Sequence, residues 1–300
     1  MNTNSDENIN NSFLMNYLDN LGDFDNIDDL RKELEKRIKA HNEGAIDDFE
    51  GLSPNQMQAL HYDFPNSDAP LKLNNLSEKQ LEQCPILVQA RLLIDKMKDG
   101  KTIQLTKTGA LRPKLVKEVY GLGLIKHELI ESGMMKLTKE MDVPSVEITK
   151  ILLQISSLSK KRKGKLSLTK KGEEFADDGN AILKEMFLML IDKFNWAYFD
   201  GFDSENIGKV NPGYSLYLLK KYGDKKRSVN FYADRYFKAF PHLITDGRSP
   251  YNAYKVRTFE RYFNYFGFVK LERERYPNPN FIQKTKFLDS LISYNLDDNT

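Results

Sequence analysis

Apolar positions recur at helical spacing along most of this chain and shift to alternation at a few short places. The clearest case begins near Val146. Ile148, Ile151, Leu152, Ile155 and Leu158 form one apolar helical stripe, with Lys150, Gln154, Ser157 and Lys161 on the opposite side. A basic turn, Lys160-Lys161-Arg162-Lys163-Gly164-Lys165, leads into the alternating strand Leu166-Ser167-Leu168-Thr169, and Lys170-Lys171-Gly172 opens another helix. Helix, basic hairpin tip, strand and helix in that order predict a winged helix-turn-helix.

The same reading extends along the chain. Asp28 to Asn42 is a charge-laced helical pattern, and Ser53-Pro54 is a good helix entry, with serine as N-cap and proline at the first turn. Ser77 with Gln80 forms a capping box ahead of an apolar series that reaches Gly100 and is interrupted at Pro85. Ile103 to Gly109 reads as a strand running into a turn, and Leu111 to Leu122 as a helix ended at Gly121 or Gly123. Ala181 to Phe199 has a broad apolar face, as expected of a core helix joining two halves. In the last third, helices are predicted from Tyr214, over Phe231–Phe240 and over Tyr251–Phe266. The last of these should bury Val256, Phe259, Phe263 and Phe266 and expose Arg257, Arg261 and Asn264. Val269 to Arg273, a turn at Tyr276–Asn280 and a return at Phe281 then predict a second wing.

Three segments share the form apolar-polar-Leu-Thr-Lys: Ile103–Lys107, Met135–Lys139 and Leu166–Lys170. They suggest three short strands, each followed by a helix capped by Thr106, Thr138 or Thr169. The expected fold class is mainly α with small β-hairpins, as winged-helix-like units in two lobes. Residues 1–50 read as an acidic, partly disordered arm with a helix. Residues 51–180 read as one helical lobe and 181–300 as a second, aromatic-rich one with a C-terminal wing.

Composition narrows the class without fixing the function. The chain has 300 residues, 40% hydrophobic and 29% charged, which is globular rather than disordered. Cys84 is its one cysteine, so an intrachain disulfide and a cysteine zinc site are excluded. The opening MNTNSDENINNSF lacks a basic and apolar leader, and no run approaches membrane-span length. A cytoplasmic, bacterial-type protein is expected.

The net charge of +2 hides segregation. Residues 1–50 carry 13 acidic and 5 basic side chains, and residues 173–208 carry 9 and 2. Residues 101–172 carry 16 basic and 6 acidic side chains, and residues 209–275 carry 15 and 6. Two basic blocks could follow a phosphate backbone; lysine-rich solvated surface is the alternative. Sixteen Phe or Tyr residues lie between Tyr214 and Phe268. Core filling is the simpler reading of them, and exposed members could stack on unpaired bases.

No catalytic pattern emerges. There is no nucleophile elbow, metalloprotease helix, phosphate-binding loop or Cys-x-x-Cys pair, and the four histidines are widely spaced. The acidic runs at Asp19–Asp29 and Asp200–Glu205 lack the register of a calcium loop. No metal or cofactor is expected.

Gly51-Leu52-Ser53-Pro54-Asn55-Gln56-Met57, with Leu60 and Tyr62-Asp63, resembles the opening of a group of uncharacterised bacterial proteins. The resemblance continues through Ala90-Arg91-Leu92-Leu93, Gln104–Val116, where Gln104 replaces a lysine, Gly164–Gly172 and Phe194-Asn195-Trp196, covering residues 51 to about 270. It implies a shared fold and supplies no catalytic residue.

The function expected from the sequence is therefore non-enzymatic binding of nucleic acid, most simply DNA, with RNA as an alternative and a protein-interaction scaffold as the runner-up. An enzyme with a site assembled from distant residues ranks third. The expected contact residues are Lys150, Gln154, Lys160, Lys161, Arg162, Lys163 and Lys165 in the first lobe. In the second they are Arg257, Arg261, Asn264, Lys270 and Arg273.

Overall fold

The computed structural model describes residues 26–65, 69–244, 250–273 and 280–295. The first 25 residues and positions 276–279 of the turn expected at Tyr276–Asn280 lie outside the described residues. Helix ends fall where local chemistry puts them. Helix α1 (Ile27–Glu43) starts at Asn26, whose side chain accepts a hydrogen bond from Asp29 N at 2.9 Å. Helix α2 (Pro54–Tyr62) starts at the expected capping box: Gln56 N donates to Ser53 Oγ and Ser53 N donates back to Gln56 Oε1.

Strand β1 (Leu71–Leu73) is followed by a short helical turn and by α3 (Pro85–Asp95), with Pro85 in its first turn. Then come β2 (Ile103–Gln104), α4 (Pro113–Tyr120), α5 (Pro144–Ile155), β3 (Ser159–Arg162) and β4 (Lys165–Leu168). These strands form an antiparallel sheet in the order β2-β4-β3. Thr169 caps the helical turn after β4, accepting from Gly172 N at 3.0 Å while its hydroxyl donates to Ser157 O at 2.6 Å. Gly172 is required there: a Cβ would lie 1.9 Å from the Leu158 carbonyl oxygen.

Helix α6 (Gly179–Asp192) leads to α7 (Pro212–Tyr222), β5 (Arg227–Ser228) and α8 (Val229–Ala239). Helix α9 begins α-helical at Pro250–Tyr254 and continues as π-helix over Lys255–Phe263. Strands β6 (Val269–Glu272) and β7 (Phe281–Lys284) complete an antiparallel sheet in the order β5-β7-β6, and β8 (Ile292–Tyr294) pairs with β1. The two halves thus share one connectivity: helix, strand, helix, helix, strand, strand, with the last strand central. This is a winged-helix topology in tandem.

Three expectations change. Met135–Lys139 forms no strand, because Thr138 N, its hydroxyl and Lys139 N all donate to the Asp142 carboxylate, at 2.8, 2.9 and 2.9 Å. Neither Thr106 nor Thr138 caps a helix. Thr106 closes a turn instead, its hydroxyl accepting from Ala110 N at 3.0 Å. Finally, the segment expected to open the first lobe lies against the second. Asn211 donates to Met57 O at 2.9 Å and to His61 Nδ1 at 3.2 Å, and Gly213 packs on the Leu60 carbonyl.

As expected, α6 joins the halves. It packs on α3 and α5 of the first unit, and its buried Phe187 ring meets Tyr262, Phe266 and Phe268 of the second at 5.7–6.1 Å between centroids. The aromatic block fills the second core: Tyr214, Tyr232, Tyr236, Tyr254 and Tyr262 are buried, and none of its sixteen rings is exposed. Stacking of bases on that cluster is therefore not available.

Candidate nucleic-acid interface

The first wing is a two-residue hairpin. Lys163 and Gly164 both take positive φ, 49° and 72°, as the turn that matches strand twist requires. Leu166 and Leu168 point into the core, while Lys160, Arg162 and Lys165 are exposed on the outer face and Lys163 at the tip. Lys161 pairs across from Leu166, on the inner face. Its ammonium rests beside Gly109, 2.0 Å from where a Cβ on that residue would be. Two bonds fasten the tip to β2: Leu105 N and Gln104 Nε2 donate to Gly164 O at 2.9 and 3.2 Å.

Among the described residues none of these five cations makes an ion pair. Arg162 and Lys165 stand directly opposite each other in the ladder. Like charges directly opposite each other in a ladder are destabilising. No carboxylate offsets that here.

The basic cleft beside the wing was not anticipated from sequence. Gln104, Arg112 and Lys114 line a shallow depression of about 360 Å³ between β2 and the start of α4. Both cations are exposed and make no ion pair among the described residues, whereas Lys96 at the same cleft pairs with Glu118 at 2.6 Å. Arg112 is the N-cap position of α4 and Pro113 lies in its first turn, so both cations flank the helix entry.

Helix α5, which occupies the place of a recognition helix, does not present its polar side to solvent. None of its twelve residues is exposed. Lys150 is 8% exposed and bonds Glu140 Oε2 at 2.5 Å, and Glu140 Oε1 accepts from Leu111 N. Thr149 donates to Gln89, Gln154 is half-buried, and burial, with Glu140 nearby, pushes the Glu147 carboxyl above its ordinary range. Lys150 is therefore a core ion pair, not a groove contact. A periodic polar stripe does not distinguish water from a polar neighbour.

The second unit departs further. Arg257, expected outside, is fully buried, and Val256 is only half-buried. Along the π-helical run, bonds close i→i+5 and each turn takes up more residues than the 3.6 of an α-helix, so a wheel drawn with α spacing misplaces the inner face. Arg257 clasps Asp200 through Nε and Nη2 at 2.9 and 2.8 Å, and its Nη1 donates to Ser204 O and Ile207 O. Arg261 bonds Phe199 O and the same carboxylate, and Asn264 donates to Glu260 O. The two arginines hold the segment before α7 against α9, and all three side chains are engaged within the protein.

Lys270 and Arg273 are exposed, but Glu272 sits between them and pairs with Lys226 at 2.6 Å. Elsewhere in this block, carboxylates distant in sequence neutralise cations: Glu50 meets Arg235, Asp48 meets Lys238, and Asp289 meets Lys220. Seven of the thirteen described cations of the second basic block are paired in space. The first wing is not.

No helix of the described residues is long and apolar enough to cross a membrane. No curated protein and no solved structure matches the chain. Residues 82–181, which contain the whole first unit from α3 to β4, match the model of the Y4jL N-terminal domain, an uncharacterised family.

Proposed function

We propose that the protein binds nucleic acid, DNA in the first instance, through the first wing and without catalysis. One observation carries this reading: Lys160, Lys161, Arg162, Lys163 and Lys165 are gathered on one hairpin with no ion-pair partner among the described residues. Arg162 and Lys165 are placed face to face at a local cost. Phosphates on a polyanion would relieve that cost, and release of the polyanion's counterions would drive binding. Contacts of this kind position a protein on a duplex.

The test is a mobility shift with duplex DNA, comparing wild type with a Lys163→Glu, Lys165→Glu variant and with a Lys270→Glu variant. The reading expects the wing pair to lose most of the affinity and Lys270→Glu to lose little. Equal binding by all three would remove the wing from the interface.

A second reading rests on the connection between α4 and α5. Leu122, Leu124, Leu129, Met134 and Met141 are exposed there, at 38, 38, 43, 73 and 63%. Clustered apolar exposure suits a protein partner. Replacing Met134 and Met141 by Lys should abolish a stable co-purifying complex under this reading and leave duplex binding intact.

A further inference from the structure

Resting on the nucleic-acid reading above, we infer that the ligand is duplex DNA held along its phosphate backbone without readout of base edges. The grip extends from the wing tip over β2 to Arg112 and Lys114. The continuity of this track is structural. Gln104 donates to Gly164 O at the tip and lines the same cleft as Arg112 and Lys114. The exposed cations along it, Lys163 and Lys165 at one end and Arg112 and Lys114 at the other, have no ion-pair partner among the described residues.

Base readout in the major groove needs a helix with a free polar face. In neither unit does the helix that precedes the wing offer one. Helix α5 has no exposed residue, and in α9 only Asn252 is exposed among the described residues. The polar groups that would read bases are engaged within the protein: Lys150 with Glu140, Thr149 with Gln89, and Arg257 and Arg261 with Asp200. Single-stranded nucleic acid is disfavoured for a different reason. Its binding sites stack bases on aromatic side chains, and the track has none among Gln104, Arg112, Lys114 and the wing residues.

The experiment uses the full chain with several end-labelled duplexes of unrelated sequence, a single strand and a duplex RNA of matched length. Hydroxyl-radical footprints report the backbone, and dimethyl sulfate reports guanine N7 in the major groove. The expected result is backbone protection with unchanged N7 reactivity. Affinities should agree within about threefold across duplex DNA sequences and be weaker for the single strand and the duplex RNA. Arg112→Glu with Lys114→Glu should lower the slope of log affinity against log salt by about two. Protected N7 atoms, a sequence favoured more than tenfold, or tighter binding to the single strand or to duplex RNA would overturn the proposal. So would an unchanged slope in the Arg112, Lys114 variant while the wing variant loses binding, and in that case the wing reading survives alone. If neither variant changes binding, both readings fall.

Discussion

Asp200→Ala removes the carboxylate that neutralises a guanidinium with no exposed surface. In the wild type, Asp200 accepts from Arg257 Nε and Nη2 at 2.9 and 2.8 Å and stands 3.4 Å from Arg261 Nη1. After the substitution Arg257 keeps two acceptors, Ser204 O at 2.6 Å and Ile207 O at 2.9 Å, so its charge stays buried but is not stripped of every bond. Breaking a buried pair from one side costs about 3–5 kcal/mol, and the two surviving bonds put this case near 3 kcal/mol. For a chain of this size that corresponds to a fall of about 5 °C in Tm. Urea unfolding followed by circular dichroism reads the same loss as a lower midpoint with an unchanged slope. Raising salt to 0.5 M should diminish it little, because a pair this deeply buried is poorly screened. Adding Arg257→Met to Asp200→Leu should recover at least half of the loss, the remainder reflecting the two carbonyls left without a donor. A melting point for Asp200→Ala within about 1 °C of wild type would refute the reasoning, as would a double variant less stable than Asp200→Ala alone. The folded Asp200→Ala protein should also keep its duplex affinity, since neither arginine lies on the proposed track.

Two further outcomes follow from local geometry. His61 is half-buried, its Nδ1 accepts from Asn211 N, and burial depresses its pKa below the ordinary 6.5. The unfolded chain therefore takes up a proton before the folded one does. The His61 contribution is fully present above pH 6.5 and is lost as pH falls through the depressed folded value, and His61→Asn should flatten that part of a stability-versus-pH curve. Gly172→Ala forces a Cβ to 1.9 Å from the Leu158 carbonyl oxygen, so the wing must shift; a loss of about 1–3 kcal/mol is expected in chemical denaturation. Gly201→Ala, with nothing within 4 Å, should be nearly neutral, and equal losses at the two sites would contradict the packing seen here.

Helix entries were legible because their determinants are local: Ser53 with Gln56, Ser77 with Gln80, and prolines at first turns act within four residues. The basic hairpin was legible too, since Lys163-Gly164 between short alternating runs specifies a tight turn. Three things were not. The π-helical run moved Arg257 inside, and no period-3.6 pattern anticipates that. The neutralisation of part of the second basic block depends on Glu50, Asp48, Asp200 and Asp289, whose approach to it is a product of tertiary structure. The strand expected at 135–139 fails as well, because its likeness to segments 103–107 and 166–170 is confined to five residues and the Asp142 carboxylate ties its backbone into a turn. Arg112 and Lys114 escaped notice because they lie in the entry to an ordinary amphipathic helix, and only the adjacency of Gln104 to the wing tip gives them a role.

The central claim is that an unpaired basic wing on the first unit meets phosphates. Duplex affinity measured at 50 and 200 mM monovalent salt tests it most directly. The five wing cations alone give log affinity a slope near −4.5 against log salt, so binding should weaken at least about 500-fold between the two conditions, and more if Arg112 and Lys114 engage as well. The Lys163→Glu, Lys165→Glu variant should show a slope shallower by about two. A duplex affinity that does not change with salt, or no measurable binding at 50 mM, would contradict the account.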